Sequence, residues 1–107
     1  MKASVIQFNI EAGNIEANEK KAACFIEQAA QNGADLIVMP ELWNCGYDLS
    51  HLPELAQNMR GTSVRLLQKL AKKYHLFIFG GSIAEKKNKT FFNTAVTIDK
   101  EGDIIQK

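Results

Sequence analysis

Little in this chain ties it to a special environment. It has two cysteines, Cys24 and Cys45, in no metal-ligand or redox spacing, so neither a disulfide scaffold nor a zinc ribbon is suggested. Its two histidines, His51 and His75, are isolated from each other and from any partner at ligand spacing. No metal site is therefore expected. Charge of one sign is also missing: 13 Lys and Arg face 12 Asp and Glu, a formal net charge of +1. That balance gives no electrostatic case for nucleic acid or an anionic membrane surface as partner. No apolar run approaches the ~18–20 residues that cross a bilayer. The opening Met1-Lys2-Ala3-Ser4-Val5-Ile6-Gln7-Phe8-Asn9 is broken by Gln7 and Asn9 too soon for a signal peptide. A reducing cytoplasm is the expected setting. GxGxxG, P-loop and GxSxG motifs are absent as well.

What is present is an ordinary globular mixture, 46% apolar and 23% charged, over 107 residues. That length allows one domain at most, since domains run to roughly 100–200 residues. Residues 3–8 read as a short strand rich in β-branched side chains. Asn14 can cap a helix whose first turn carries Glu16, and Ile15, Ala22, Phe25, Ile26 and Ala29 fall on one face. Gly33 is suited to end that helix in a left-handed turn. Asp35 to Glu41 follows, with four unalternated apolar residues that suggest a strand covered on both faces. Strand, helix and strand make a right-handed βαβ unit. Pro40 has no N–H for the ladder, so pairing should stop there.

Residues 42–61 show no long period and read as a loop with a short helical turn near 53–59. A second amphipathic helix spans about Ser63 to Tyr74, capped by Thr62 or Ser63, with Val64, Leu67, Leu70, Ala71 and Tyr74 as its apolar stripe. Leu76 to Phe79 is another buried strand. It leads into Gly80-Gly81-Ser82, where the glycines suggest close backbone approach or a bend. Ile83 to Asp99 reads as a hairpin turning at Lys86-Lys87-Asn88-Lys89, and a second turn at 100–103 leads into a strand from Ile104. The class is α/β. The basic hairpin tip is explained by a solvated turn.

Glu41 is the sharpest chemical candidate. A carboxylate just past a buried strand stands where open α/β sheets place their sites, beyond the strand C-termini. Leu42 and Trp43 could partly desolvate it and raise its pKa toward the range of a general base. By position alone, a solvated loop glutamate at a strand exit is the more common case, since topology marks a region and not a residue. Trp43 and Tyr47 could line a substrate mouth or could simply bury the loop. Cys24 reads as an inert helix thiol, and nothing near Cys45 marks a nucleophile.

Ala34-Asp35-Leu36-Ile37-Val38-Met39-Pro40-Glu41-Leu42 followed by Gly46-Tyr47 resembles the carbon–nitrogen hydrolase (nitrilase) family around its catalytic glutamate. The likeness extends to the opening strand ending in Gln7, to Asn18, to Gly80-Gly81-Ser82, and to Phe92-Asn93-Thr94-Ala95 before Gly102. It covers essentially the whole chain, 1–107, in the family's order.

The resemblance implies a Glu–Lys–Cys catalytic set with Glu41 as the base, acting on a non-peptide C–N bond of a small amide or nitrile without a cofactor. A thiol is mostly protonated at neutral pH, so the nucleophile needs an adjacent base. The developing oxyanion needs a fixed cation. Tyr47 and Trp43 would line the substrate mouth, with Asn93 and Thr94 as buttresses. The family's lysine lies in a Tyr-Arg-Lys type segment on the strand that starts at Ile104; Lys107 precedes it. Its cysteine lies farther on. The implied fold is a four-layer α-β-β-α sandwich, of which residues 1–107 would form the N-terminal part. The expectation is an incomplete, inactive piece with exposed sheet faces, prone to associate, from an enzyme that forms homodimers. The alternatives are a non-catalytic interaction module and a small doubly wound ligand-binding domain. The missing phosphate loop argues against the latter.

Overall fold

The computed structural model describes residues 1–47 and 49–107, with Leu49 described by its backbone alone. The elements run β1 (Ala3–Val5), α1 (Ile15–Gln31), β2 (Leu36–Val38), a 3-10 turn (Leu49–His51), α2 (Leu52–Leu55), α3 (Thr62–Tyr74), β3 (Phe77–Lys87), β4 (Thr90–Ile98) and β5 (Ile104–Gln106). The five strands form one mixed sheet in the order β1-β2-β3-β4-β5. β1, β2 and β3 are parallel, with Ser4, Ile37 and Ile78 in register. β4 and β5 extend the sheet antiparallel.

Two crossovers that step the same way, both right-handed, put both helices on one face of the sheet. The core records that arrangement. Ala22 and Ile26 of α1 and Val64, Leu67 and Ala71 of α3 pack with Ile37, Ile78, Val96 and Ile98 of the sheet, all fully or almost fully buried. The other face is open. Val5 is 68% exposed, Phe79 45% and Ile105 57%. The apolar run of β2 therefore finds only one cover: Ile37 is buried under the helices, whereas Leu36 and Val38 are half-buried. Double coverage of this strand is not met within these residues, because one helix layer serves one face.

Asn14 caps α1 through its side chain, which accepts from the Ala17 N–H, and Gly33 follows at φ +87°. The buried line of α1 is Asn18, Ala22 and Ile26. Phe25 does not share it; it is 39% exposed and stacks on Phe8, ring centroids 6.0 Å apart. Capping of α3 also differs from expectation. Gly61 is its N-cap, and the Ser63 N–H is taken by Oε1 of Gln57. The Thr62 and Ser63 hydroxyls donate instead to Glu19 of α1. The short helix is Leu52–Leu55, earlier than the 53–59 expected, with Pro53 in its first turn where a missing N–H costs nothing.

Candidate functional site

The site begins where β2 runs out. Met39 still donates its N–H to the Phe79 carbonyl, but Pro40 has no N–H and the ladder ends. On the adjoining strand the register shifts between Phe79 and Ser82, so Gly80 and Gly81 form a bulge. Gly81 adopts φ +59°, and a Cβ there would lie 2.0 Å from the Pro40 carbonyl oxygen. Only glycine lets the two backbones come this close. The bulge turns Ser82 toward the β2 exit. Its hydroxyl accepts the Leu42 N–H at 2.9 Å, and its carbonyl accepts the Trp43 N–H at 3.3 Å.

Leu42 sits at φ +46°, a left-handed conformation that branched aliphatic residues avoid. Such strain costs on the order of 1–3 kcal/mol and persists only where the surroundings over-determine it. Here burial of the leucine side chain and the Ser82 hydrogen bond hold it. The outcome is a reversal in which Leu42 turns inward and Glu41 outward. Glu41 is exposed, and the Tyr47 hydroxyl donates to its Oε1 at 2.8 Å. That hydrogen bond, with smaller contributions from burial and from the carboxylate charge, raises the phenol's pKa above its ordinary 10.0.

The Glu41–Tyr47 pair borders two hollows. One, of about 270 Å³, is lined by Glu41, Gly81, Ser82, Asn93 and Ala95. The other, about 520 Å³ and mostly apolar, is lined by Phe8, Ile10, Ala12, Gly46 and Tyr47. Asn93 thus stands at the carboxylate, whereas its neighbour Thr94 points to the opposite face of β4 and donates to Oε1 of Glu85 at 2.7 Å. Trp43 is fully buried in the main core. Of the two readings open for this aromatic, burial of the loop is the placement found. Tyr47 alone stands at the open side.

No second reactive group joins Glu41 among the described residues. Cys45 is buried with Leu42 and Ala84, its thiol donating to the Gly46 carbonyl. Cys24 is exposed on α1. The Lys107 ammonium lies 3.8 Å from the Glu85 carboxylate on the far face of the hairpin. No group of three His, Cys, Asp or Glu could hold a metal ion among the described residues, and no helix is long and apolar enough to cross a membrane. Chemically, the arrangement is a presented proton acceptor with one oxygen oriented by a phenol. Sequence reading names Glu41 and Tyr47, which the structure brings within hydrogen-bond distance, but not the Ser82 hydroxyl contact or the left-handed Leu42 beneath them. A Gly-Gly-Ser run on the strand beside a Pro-Glu exit was the available signal.

The chain is an α/β unit whose sheet presents an exposed carboxylate just beyond β2, an inner strand. Its family is shown by comparison with known proteins. The family model for carbon–nitrogen hydrolase matches residues 2–107, and the chain belongs to that family. It is 44% identical over 104 residues to the 2-oxoglutaramate amidase of Bacillus subtilis (strain 168), covering 97% of this chain and 40% of that protein. An omega-amidase of Xenopus laevis is 33% identical over 106 residues, 99% of this chain and 38% of its own length. The crystal structure of Saccharomyces cerevisiae Nit3, a nitrilase superfamily member, superposes with a TM-score of 0.89 at 29% identity, over 99% of this chain and 42% of that one. The chain thus spans about 40% of the length of these relatives. The sheet and helices described above are the corresponding part of the nitrilase fold.

Proposed function

We propose that residues 1–107 carry the base half of a cysteine amidase site that hydrolyses a small linear amide. The observation that carries this reading is the strained, glycine-dependent turn that presents Glu41 with Tyr47 bonded to it. Support comes from relatives that bear amidase names. In this mechanism the Glu41 carboxylate takes the proton of a cysteine thiol as sulfur attacks the amide carbon, forming a tetrahedral oxyanion. A lysine ammonium stabilises the oxyanion. Glu41 returns the proton to the departing nitrogen, and ammonia leaves a thioester that water hydrolyses to the acid. Both the lysine and the cysteine belong to the family's length beyond the part matched here. Tyr47 holds Oε1 and fixes the carboxylate plane, leaving Oε2 to exchange the proton. It also forms the boundary between the carboxylate and the apolar hollow, where the substrate chain would lie. Trp43 serves from beneath, as the buried anchor of the turn. Self-association and a cytoplasmic setting complete the reading.

The test is a fusion of this chain to the remaining part of the Bacillus subtilis relative, assayed by ammonia release from small ω-amides. Turnover by the fusion, with a loss of roughly 10²–10⁴-fold in Glu41→Gln, is the expected result. Undiminished turnover in Glu41→Gln would remove Glu41 from the chemistry. The 107 residues alone are expected to be inactive; activity lost in Cys45→Ala would instead make Cys45 the nucleophile. A second reading, a non-catalytic interaction module, draws on the exposed apolar sheet face. An inert fusion whose 107-residue part still self-associates would favour it.

A further inference from the structure

The turn that carries Glu41 and Tyr47 is tied down by polar side chains buried where apolar ones would ordinarily pack. Asn18 lies on the buried line of α1, Asn44 is the midpoint of the turn, and Ser63 is in the first turn of α3; all three are fully buried. The Asn18 amide has no idle group. Its oxygen accepts the Glu11 N–H, and its nitrogen donates to the Glu11 and Asn44 carbonyls, each bond 2.8 Å long. The Asn44 side chain donates to Oγ of Ser63 at 3.0 Å, and Ser63 donates onward to Oε2 of Glu19 at 2.8 Å.

Burying three such groups is unfavourable unless each is bonded, and Oδ1 of Asn44 has no hydrogen-bond partner among the described residues, so net stability is not what the set supplies. What the polar groups supply is direction. α1 grips the main chain of the turn at Asn44, α3 grips the Asn44 side chain, and the β3 bulge grips the turn at Leu42 through Ser82. Three elements thus hold one seven-residue reversal on the side opposite to its exposed ends. Glu41 and Tyr47, three residues to either side of Asn44, are then held facing each other.

We infer that Asn18, Asn44 and Ser63, backed by the Glu19 carboxylate, form a buried positioning relay that sets the Glu41–Tyr47 pair. None of them touches the hollows beside the pair, so they act through the turn and not on substrate. The catalytic consequence rests on the reading of Glu41 as base; the geometric claim does not.

The experiment reads the pair directly in the 107-residue chain, by spectrophotometric titration of Tyr47 in a Tyr74→Phe background. Glu41→Gln sets the endpoint, a Tyr47 pKa lowered toward 10.0. Asn18→Ala and Ser63→Ala are each expected to move Tyr47 most of the way to that endpoint. Ser63→Thr, which keeps the hydroxyl, stays near wild type. Ile98→Val, a destabilising change in the core away from the turn, leaves the titration unmoved. A merely structural role predicts that the relay variants and Ile98→Val behave alike. Should Asn18→Ala not fold, Ser63→Ala decides, since it removes one atom and leaves no cavity of consequence. A folded Ser63→Ala that titrates as wild type does overturns the relay. Failure of the amidase fusion with an intact titration series overturns the catalytic reading and leaves the relay standing.

Discussion

Substituting Gly81 by alanine tests whether the β3 bulge places the turn that presents Glu41. Two costs add at this position. The backbone stands at φ +59°, where a residue with a Cβ loses about 1–2 kcal/mol. The new methyl would sit 2.0 Å from the Pro40 carbonyl oxygen and 2.7 Å from that of Met39. Both neighbours are main chain and cannot rotate away, so the strands must part, at about 1–3 kcal/mol for such overpacking. Gly33 supplies the control. It stands at φ +87° with nothing within 4 Å of the added carbon, so Gly33→Ala bears the first cost without the second. The difference between the variants, about 2 kcal/mol, corresponds to roughly 8–16 °C in melting temperature for a domain of this size. Urea unfolding followed by the emission of Trp43, the single and fully buried tryptophan, measures it at fixed protein concentration. Because Pro40 precedes Glu41, the displaced carbonyl carries the carboxylate with it. Gly81→Ala is therefore expected to lower the Tyr47 pKa as well, which Gly33→Ala does not. Equal stability losses in the two variants would show that the close approach at Gly81 is immaterial and the reasoning wrong.

Raising the pH tests the Glu41–Tyr47 bond through its sign. A native phenol pKa above 10.0 means that the bond stabilises the fold below pH 10.0 and that this contribution is lost as pH rises through the raised native value. Wild type should lose stability more steeply than Glu41→Gln over that alkaline window, and parallel profiles would count against the bond. Trp43→Ala should cost about 3–5 kcal/mol, as for other large core deletions. Trp43→Phe should cost much less, since the indole Nε1 has no hydrogen-bond partner among the described residues to lose. The open sheet face should drive self-association, and Phe79→Lys with Ile105→Lys should suppress it in sedimentation velocity. A wild-type chain that sediments as a monomer at every concentration would argue against that.

Legibility in the sequence followed the range of the forces involved. The helix from Ile15 and the strand at Leu36 were readable because periodicity, an Asn14 cap and a Gly33 terminator act within a few residues. Phe25 was misplaced because a period identifies a face but not its centre. Asn18, a polar residue excluded from any apolar stripe, lies on the buried line and pushes Phe25 to the rim, where Phe8 meets it. The cap of α3 was misread for a related reason. Thr62 and Ser63 have the right chemistry for a local cap, but Glu19 is a charged acceptor and draws both hydroxyls across to α1. Gln57 then fills the cap from outside the helix. Each error arises where a residue's partner is more than a helical turn away in sequence.

The same division runs through the site. Glu41 was legible because Pro40 ends a strand and a carboxylate follows, a purely local pattern. Its orientation was not, since it comes from Ser82, 40 residues beyond the Leu42 it bonds, and from that leucine's being forced into the left-handed region. No propensity argument selects leucine for φ +46°. Only the combined pull of the Ser82 hydroxyl on its N–H and of Ala84 and Cys45 on its side chain does so. The strain at Leu42 thus links the core to the exposed carboxylate. The energy that holds the reversal comes from burial and hydrogen bonds beneath the turn, while the carboxylate it exposes makes none of those contacts. The account therefore requires that Ser82→Ala, which leaves the Glu41 side chain untouched, relax Leu42 toward negative φ and loosen the Glu41–Tyr47 bond. Tyr47 titration in that variant measures the effect, and an unchanged pKa would show that side-chain burial alone sustains the turn.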